Sequence, residues 1–286
     1  MRLLILLLLT IAVAHAAVSP DEIEKVRGLL RDKKLSEAES AANVLVVANP
    51  KEAEAHALLG SVRTAKGDAD GAVEACEKAV KLAPASSEYQ RQLGDAYGLA
   101  GQKAGVLSKM SWGKKSLAAY EKAVELDPTN LTARSSLAGV YQMAPSIMGG
   151  GIDKAYTQAV EIKKLDATRG RIAYAMLYMS EKKFAEAFTE LEEVLKTAPD
   201  NYSGLYQFGR LSALADERTD RGMEALKKCL ALPPTPGSPG HDAAHWRLGN
   251  LWEKKGDKQA ARAAYQAALA INPNFQQAID SLKKLK

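Results

Sequence analysis

Two histidines four residues apart form the strongest candidate for metal chemistry. His241 and His245 would share one face of a helix, the spacing at which zinc proteases present two imidazole ligands. Those enzymes carry a catalytic glutamate beside the first histidine, whereas this sequence has Asp242 there. Packing explains the pair better, because His245 and His56 take equivalent places in two similar segments. We therefore predict no metal ligand, and a metal-binding module remains only an alternative.

A run of three glycines at residues 149–151 precedes a predicted helix. The free amides at a helix start bind anions, but no Gly-Lys-Ser/Thr follows and no strand precedes, as a nucleotide loop requires. The alternative, which we favour, is a glycine turn that reverses the chain.

Methionines and histidines are too sparsely arranged to predict catalysis. Met143, Met148, Met176 and Met179 fall in two neighbouring segments, and methionine in an exported protein can hold copper. Core or groove lining is the favoured interpretation. Four histidines supply few general bases, and no Gly-x-Ser-x-Gly elbow is present. The sequence predicts no enzyme activity and no cofactor.

Composition indicates a globular chain with a large core and mixed surface charge. Of 286 residues, 47% are hydrophobic, 6% aromatic and 26% charged, with a net charge of +5. No block of five like charges occurs, so we expect no nucleic-acid partner. The two cysteines, Cys76 and Cys229, are interpreted as small buried hydrophobic residues.

The N-terminus has the pattern of an export signal. Arg2 precedes an apolar run at residues 3–13, which is followed by Ala14-His15-Ala16. We predict a signal peptide at residues 1–16, cleavage after Ala16, and a periplasmic or secreted protein. Retention of the segment as an uncleaved anchor is the alternative.

A period of about 34 residues governs the remainder. Pro50 and Pro84 are 34 residues apart, and further prolines follow at one or two periods plus a few residues. The sequence resembles the tetratricopeptide repeat (TPR) family at spaced positions that include Leu58-Leu59-Gly60, Gly67-Asp68, Ala72, Ala79 and Pro84, and again Trp246, Leu248-Gly249, Trp252, Gly256-Asp257, Ala261, Tyr265, Ala268 and Pro273. The stretch 138–155 is similar to exported bacterial members.

The resemblance implies an all-α fold, a right-handed superhelical solenoid of about seven helix-turn-helix repeats with a C-terminal capping helix. We place one solenoid domain at 17–286, with repeats at about 19–52, 53–86, 87–130, 131–167, 168–201, 202–240 and 241–275, and a cap at 276–286. In each repeat, a small residue on the first helix (helix A) meets a small residue on the second (helix B). Ala225 is predicted to play the second role in repeat 6.

Three repeats are longer than the period. The spacing of small residues predicts ten extra residues in repeat 3, five in repeat 4 and four in repeat 6, all between helices A and B. In repeat 3 the extra residues are expected to lengthen both helices into a raised hairpin. There, Met148 and Pro145 of repeat 4 are predicted to pack against Leu107 or Met110.

Two surfaces are predicted to bind a partner. The first is the groove lined by the A helices, and Arg, Tyr and Trp there are typical interface anchors. The second is the edge formed by the inserted turns. The predicted groove residues are Arg91, Asp95, Met176, Met179, Tyr206, Arg210, Trp246 and Asn250, and the predicted edge residues are Leu107, Met110, Trp112 and Met148.

The leading hypothesis is a non-enzymatic scaffold of the cell envelope that binds a protein or peptide through the groove, the inserted turns, or both. A structural subunit of a larger envelope assembly is the first alternative. Contact of the inserted turns with a membrane surface is also predicted as a possible role.

Overall fold

Helices are the only regular structure in residues 18–235 and 237–285, which this computed structural model describes. The predicted signal peptide, residues 1–16, lies outside the described residues. The α-helices are α1 Pro20–Arg31, α2 Leu35–Ala48, α3 Ala53–Lys66, α4 Ala69–Leu82, α5 Ser87–Lys103, α6 Val106–Leu126, α7 Leu131–Met143, α8 Ile152–Leu165, α9 Ala167–Ser180, α10 Phe184–Thr197, α11 Tyr202–Ala215, α12 Thr219–Leu230, α13 His241–Lys254, α14 Lys258–Ile271 and α15 Gln276–Lys284. A short 3₁₀ turn, Ser146–Met148, lies between α7 and α8.

The helices pair in the order that the repeats predict. Each predicted repeat from 19–52 to 241–275 contains two α-helices, and α15 occupies the predicted cap. The predicted all-α fold of about seven helix-turn-helix repeats is confirmed. None of the helices in the described residues combines the length and apolar content that a membrane crossing requires.

Backbone contacts divide the chain into two compact units. Unit 1 comprises residues up to 137 together with 144–149, and unit 2 comprises 138–143 together with 150 onward. Within unit 1, helices α1 to α6 pack sequentially, and α3 also contacts both α1 and α5. Within unit 2, helices α8 to α15 pack sequentially, and α11 also contacts α9 and α13. The A helices of successive repeats therefore lie side by side in each unit.

Polar side chains begin several of these helices by capping free amides. Asp68 accepts from the Gly71 amide at 3.1 Å, Asn201 from Gly204 at 2.8 Å, and Asp257 from Ala260 at 2.9 Å. Such caps satisfy donors that have no partner within the helix.

Glycines on the A helices bring the helix pairs of repeats 2, 6 and 7 into close contact, but the nearest residue of helix B lies four positions after the predicted small residue in repeats 2 and 7. A methyl group at Gly60 would collide with Cys76, at Gly209 with Leu226, and at Gly249 with Tyr265. Helix B contacts helix A at these positions, so there is no room for a larger side chain in place of each glycine.

Repeat 6 corrects one prediction. In repeat 2, the residue that packs on Gly60 is Cys76, 16 positions later. In repeat 6, the residue that packs on Gly209 is Leu226, 17 positions later. The small residue of helix B is therefore Gly222, which lies against Ser212, and not Ala225. The turn of repeat 6 is longer by one residue, not four.

The long hairpin and the glycine turn have the predicted form. Helix α5 has 17 residues and α6 has 21, against 14 in each of α3 and α4, so ten extra residues extend both helices. In repeat 4, the 3₁₀ turn and glycines 149–151 take up the extra residues. Gly149 (φ 89°) and Gly151 (φ 150°) adopt backbone angles that favour glycine.

The C-terminal helix covers the apolar end of unit 2. Leu285 is buried with Ala261 and Tyr265 of α14, and Leu282 and Trp252 pack around them. These contacts are the ones that a capping helix supplies.

Candidate partner-binding surfaces

Two arginines stand close together on the A-helix face of unit 2, the surface formed by α9, α11 and α13. Arg210 lies on α11 and Arg247 on the adjacent α13, and each is half-buried. Burial lowers the pKa of Arg247, and the positive charge of Arg210 lowers it further, while Tyr206 acts in the opposite direction. Arginine side chains are positively charged in proteins, so this face carries two neighbouring positive charges.

Neutral groups surround this arginine pair. The Arg210 Nη1 donates to Gln207 Oε1 at 3.2 Å, and the Arg247 guanidinium hydrogen-bonds Tyr206 and stacks 4.0 Å from the Trp246 ring. The Nε of Arg247 is buried without an acceptor. An uncompensated cation pair with a free donor suits a carboxylate or another anion.

Carboxylates on these helices or directly after them are engaged elsewhere. Asp242 accepts from Asn272 at 3.1 Å, Glu253 accepts from Tyr265, and Asp216 pairs with Lys254 at 3.0 Å. Within the part of the chain that the structure describes, neither Arg210 nor Arg247 forms a salt bridge.

For two of the predicted groove residues, the prediction of an exposed position is wrong. Tyr206 is 4% exposed and Met179 is 6% exposed, and both belong to the main core of unit 2. The reason is the close packing of α11 against α9 and α13, which covers side chains that point sideways along the face. Met176, by contrast, is 39% exposed, and Leu214 of α11, which the sequence did not single out, is 45% exposed.

Trp246 and Asn250 are half-buried and hold neighbouring helices. The Trp246 indole donates to Ser281 Oγ of α15 at 3.1 Å, and its ring meets Phe275 edge-on at 5.8 Å. Asn250 accepts from the Tyr265 hydroxyl at 2.9 Å. Both residues therefore have structural partners, and replacing them would disturb the fold as well as the face.

Arg91 and Asp95, the predicted groove residues of unit 1, neutralise each other. Arg91 donates to Asp95 and pairs with Glu88 at 2.6 Å, and Tyr120 donates to Asp95 from α6. A closed network of this kind fixes α5 against α6 and leaves little charge for a partner.

The hairpin of α5 and α6 places the edge residues in different settings. Trp112 packs against Tyr97 with ring centroids 5.7 Å apart, and the Lys115 ammonium lies 4.6 Å from the Trp112 ring. Met110 is 45% exposed, and Val106, at the start of α6, is 87% exposed. The side chain of Leu107 lies outside the described residues.

Met148 makes the contact that joins the two inserted turns. Its methyl group occupies the space beside Gly113 of α6, and Gly149 lies near the Leu117 side chain. The predicted packing of the 3₁₀ turn on the hairpin is therefore present, but at Gly113 in place of Leu107 or Met110. Ile147, next to Met148, is 78% exposed.

The histidine pair has ordinary packing partners. His241 Nε2 hydrogen-bonds the Leu232 carbonyl at 2.8 Å, and its ring centroid lies 6.1 Å from that of Tyr202. Burial, followed by the proximity of His241, lowers the pKa of His245. In the described ranges, no three His, Cys, Asp or Glu residues converge as a metal site would require.

Three matches to family models identify the repeats. Models described as tetratricopeptide repeat match residues 23–87, 169–201 and 242–275. This chain is a tetratricopeptide repeat protein. The unmatched repeats 3, 4 and 6 of this TPR protein are those whose sequences depart from the 34-residue period.

Solved structures agree on the fold. A tetratricopeptide repeat protein from Parabacteroides merdae is 16% identical, with a TM-score of 0.65 over 93% of this chain and 97% of that one. Yeast Tom70 is 16% identical, with a TM-score of 0.65 over 94% of this chain and 57% of that one. A thermophilic TPR protein from Thermus thermophilus is 20% identical, with a TM-score of 0.57 over 68% of this chain and 97% of that one. A comparison with curated protein sequences finds no significant match.

Arg247 and Gln207 are the residues of the face that sequence reasoning missed. Both stand two positions before the helix-A glycine, at Gly249 and Gly209. Comparing that position across repeats would have found them, because it holds a polar side chain at Gln92, Gln207 and Arg247, although Leu58 takes it in repeat 2.

Proposed function

We propose that this TPR protein is a non-enzymatic scaffold of the cell envelope that binds an acidic peptide segment on the A-helix face of unit 2. TPR proteins in general use the surface of their stacked helices to hold protein partners. The apolar run and small-residue site at the N-terminus support export.

The observation that carries the proposal is the uncompensated pair Arg210 and Arg247. Two neighbouring guanidinium charges without a carboxylate partner repel each other, and an anionic partner removes that repulsion. A carboxylate of the bound segment would accept from both arginines, and the exposed side chains of Met176 and Leu214 on neighbouring helices would take apolar residues beside it.

The test compares matched variants in a peptide-binding assay. A library of glutamate- and aspartate-rich peptides is screened by fluorescence anisotropy, together with the same sequences carrying Gln and Asn. We expect only the acidic peptides to bind, with affinity that falls as salt rises. Arg210→Gln with Arg247→Gln should weaken binding about ten-fold to a hundred-fold, since a charge-assisted hydrogen bond contributes about 1.5–3 kcal/mol.

A charge-matched control separates recognition from net charge. Lys78→Gln with Lys81→Gln removes two positive charges from exposed positions of α4 and should leave peptide binding unchanged. Equal binding of acidic and neutral peptides, or equal loss in both double variants, would refute the proposal.

Export has its own test. N-terminal sequencing of the protein recovered from the envelope fraction should begin at Ala17. A sequence that begins at Met1 in exported material would contradict the predicted cleavage.

A further inference from the structure

We propose that the tip of the α5–α6 hairpin docks onto an anionic membrane surface. The hairpin tip is defined here as residues 103–114 together with the 3₁₀ turn Ser146–Met148. This proposal is independent of the peptide site, because the hairpin tip belongs entirely to unit 1 and the arginine pair to unit 2.

Aliphatic side chains point outward at the hairpin tip. Val106 is 87% exposed, Ile147 is 78% exposed and Met110 is 45% exposed. They belong to one surface because Met148, beside Ile147, packs on Gly113, which lies one helical turn from Met110. An apolar cluster of this kind at a protruding end indicates an interaction site more than a tolerated surface.

Positive charge surrounds this cluster. No Asp or Glu occurs between Asp95 and Glu121, or between Asp127 and Asp153, while the first stretch carries Lys103, Lys109, Lys114 and Lys115. Lys109 and Lys114 are exposed. The first turn of α6 also lacks an acidic residue, so its positive dipole end is not neutralised.

Two of the four lysines have internal partners. Lys103 donates to the Gly67 carbonyl, and Lys115 stacks on Trp112. The acidic groups that face the hairpin tip are Asp68 and Asp70, which line a cavity of about 320 Å³ with Lys103 and Trp112. Lys109 and Lys114 do not line this cavity and are exposed, so they remain available to an external anion.

The chemistry of the hairpin tip fits a lipid surface better than a protein. Protein interfaces are enriched in aromatic residues, methionine and arginine and depleted in lysine, and of the enriched types the hairpin tip exposes only Met110 among its described side chains. Here the one aromatic residue, Trp112, folds back onto Tyr97, and the exposed side chains are aliphatic residues and lysines. Lysines beside aliphatic residues suit an anionic headgroup layer, since the ammonium groups reach lipid phosphates while the apolar groups enter the acyl boundary.

Vesicle sedimentation with matched variants tests the proposal. The full chain is mixed with vesicles of phosphatidylcholine alone and with vesicles that contain phosphatidylglycerol. We expect binding to the anionic vesicles to exceed binding to the neutral ones at least five-fold and to fall as salt rises. Neutral vesicles measure any contribution from the apolar run at residues 3–13, which all variants share.

Two changes at the hairpin tip should each weaken anionic-vesicle binding at least five-fold. They are Val106→Ser with Ile147→Ser, and Lys109→Glu with Lys114→Glu. Their controls are Val44→Ser with Val47→Ser on α2, which removes two largely exposed valines, and Lys283→Glu with Lys284→Glu on α15. All eight positions are surface sites, so folding should survive each of the four double changes.

A probe on the hairpin tip distinguishes insertion from a purely ionic encounter. An environment-sensitive dye on Val106→Cys should shift to shorter emission wavelength with anionic vesicles, while Cys76 and Cys229 remain unlabelled because they are buried. Absence of anionic-vesicle binding, or equal weakening in the controls, would overturn the proposal. Loss of peptide binding in the Arg210 and Arg247 variants would not affect it.

Discussion

The methyl group of Met148 fills the space that a side chain at Gly113 would otherwise occupy. This contact joins the inserted turn of repeat 4 to the lengthened hairpin of repeat 3. Two departures from the 34-residue period therefore pack on each other, and neither is an isolated surface loop.

Enlarging Gly113 should separate these two turns. Gly113→Val places branched carbons against the end of the flexible Met148 side chain, which must turn aside, so we expect a loss of about 1 kcal/mol of unfolding free energy, the low end for overpacking. Met148→Ala in the same chain should restore part of the loss. Gly139→Ala is the matched control, because nothing lies near that position in α7 and alanine favours a helix by up to about 1 kcal/mol. Urea unfolding measures all four proteins, and a neutral Gly113→Val would contradict the contact.

Both thiols should be inert in the folded protein. Burial raises the pKa of Cys76 to about 12 and that of Cys229 to about 11. At pH 8 only about one thiol in a thousand or fewer is the reactive thiolate, and access is also blocked. Ellman's reagent should therefore modify neither cysteine before denaturation and both afterwards. Rapid modification of the native protein would show that a core position has been assigned wrongly.

Alkaline pH should destabilise the fold through its tyrosines. Five hydroxyl groups donate to carboxylates, and burial, reinforced by those carboxylates, raises the pKa of Tyr89, Tyr97, Tyr120, Tyr156 and Tyr265. Since unfolded tyrosine ionises near pH 10, their contribution to stability is complete below about pH 10 and is lost as the pH rises beyond it.

Urea unfolding from about pH 8 to about pH 11 measures this effect. The free energy of unfolding should decline above about pH 10, and tyrosinate absorbance should appear together with unfolding. Tyr265→Phe and Tyr120→Phe should each show a shallower decline, although both start from a lower stability because they lose hydrogen bonds. A stability that is constant up to pH 11 would contradict the predicted direction.

Removing the apolar anchor of α15 should loosen the end of unit 2. Leu285→Ser exposes Tyr265 and Ala261 and places a hydroxyl in their core, at an expected cost of about 2–4 kcal/mol. Hydrogen exchange should accelerate in α14 and α15 before the other helices. Lys284→Ser, at the exposed neighbouring position, should change neither rate nor stability.

The helix pairs could be predicted because each repeat carries its own boundaries. In repeat 2, Pro84 follows the end of the second helix, Asp68 caps its start, and Gly60 allows the two helices to approach closely. All three residues lie within one period of 34 residues. The lengthening of α5 and α6 was equally predictable, because Gly94 and Ser116 kept their packing roles while the distance between them grew.

Burial on the A-helix face could not be predicted from one repeat at a time. Tyr206 and Arg210 are one helical turn apart on the same side of α11, yet Tyr206 is covered and Arg210 is partly open. The difference arises from the neighbouring helices, whose approach a single repeat pattern does not encode. The prediction for repeat 6 was wrong for a related reason. Gly222 and Ala225 are both small and lie three positions apart, so spacing alone did not decide which of them meets helix A.

Arg247 bears on how far this chain can be stabilised. Its buried Nε carries an unmet hydrogen-bond donor, and natural chains retain such defects where activity outweighs thermal robustness. Because Arg247 also hydrogen-bonds the buried Tyr206, both partners must be replaced together, and Arg247→Met with Tyr206→Phe should raise the melting temperature of the free protein. Heat resistance gained in this way would be accompanied by weaker binding of the acidic peptide, so a thermostable version of this scaffold should leave Arg247 unchanged.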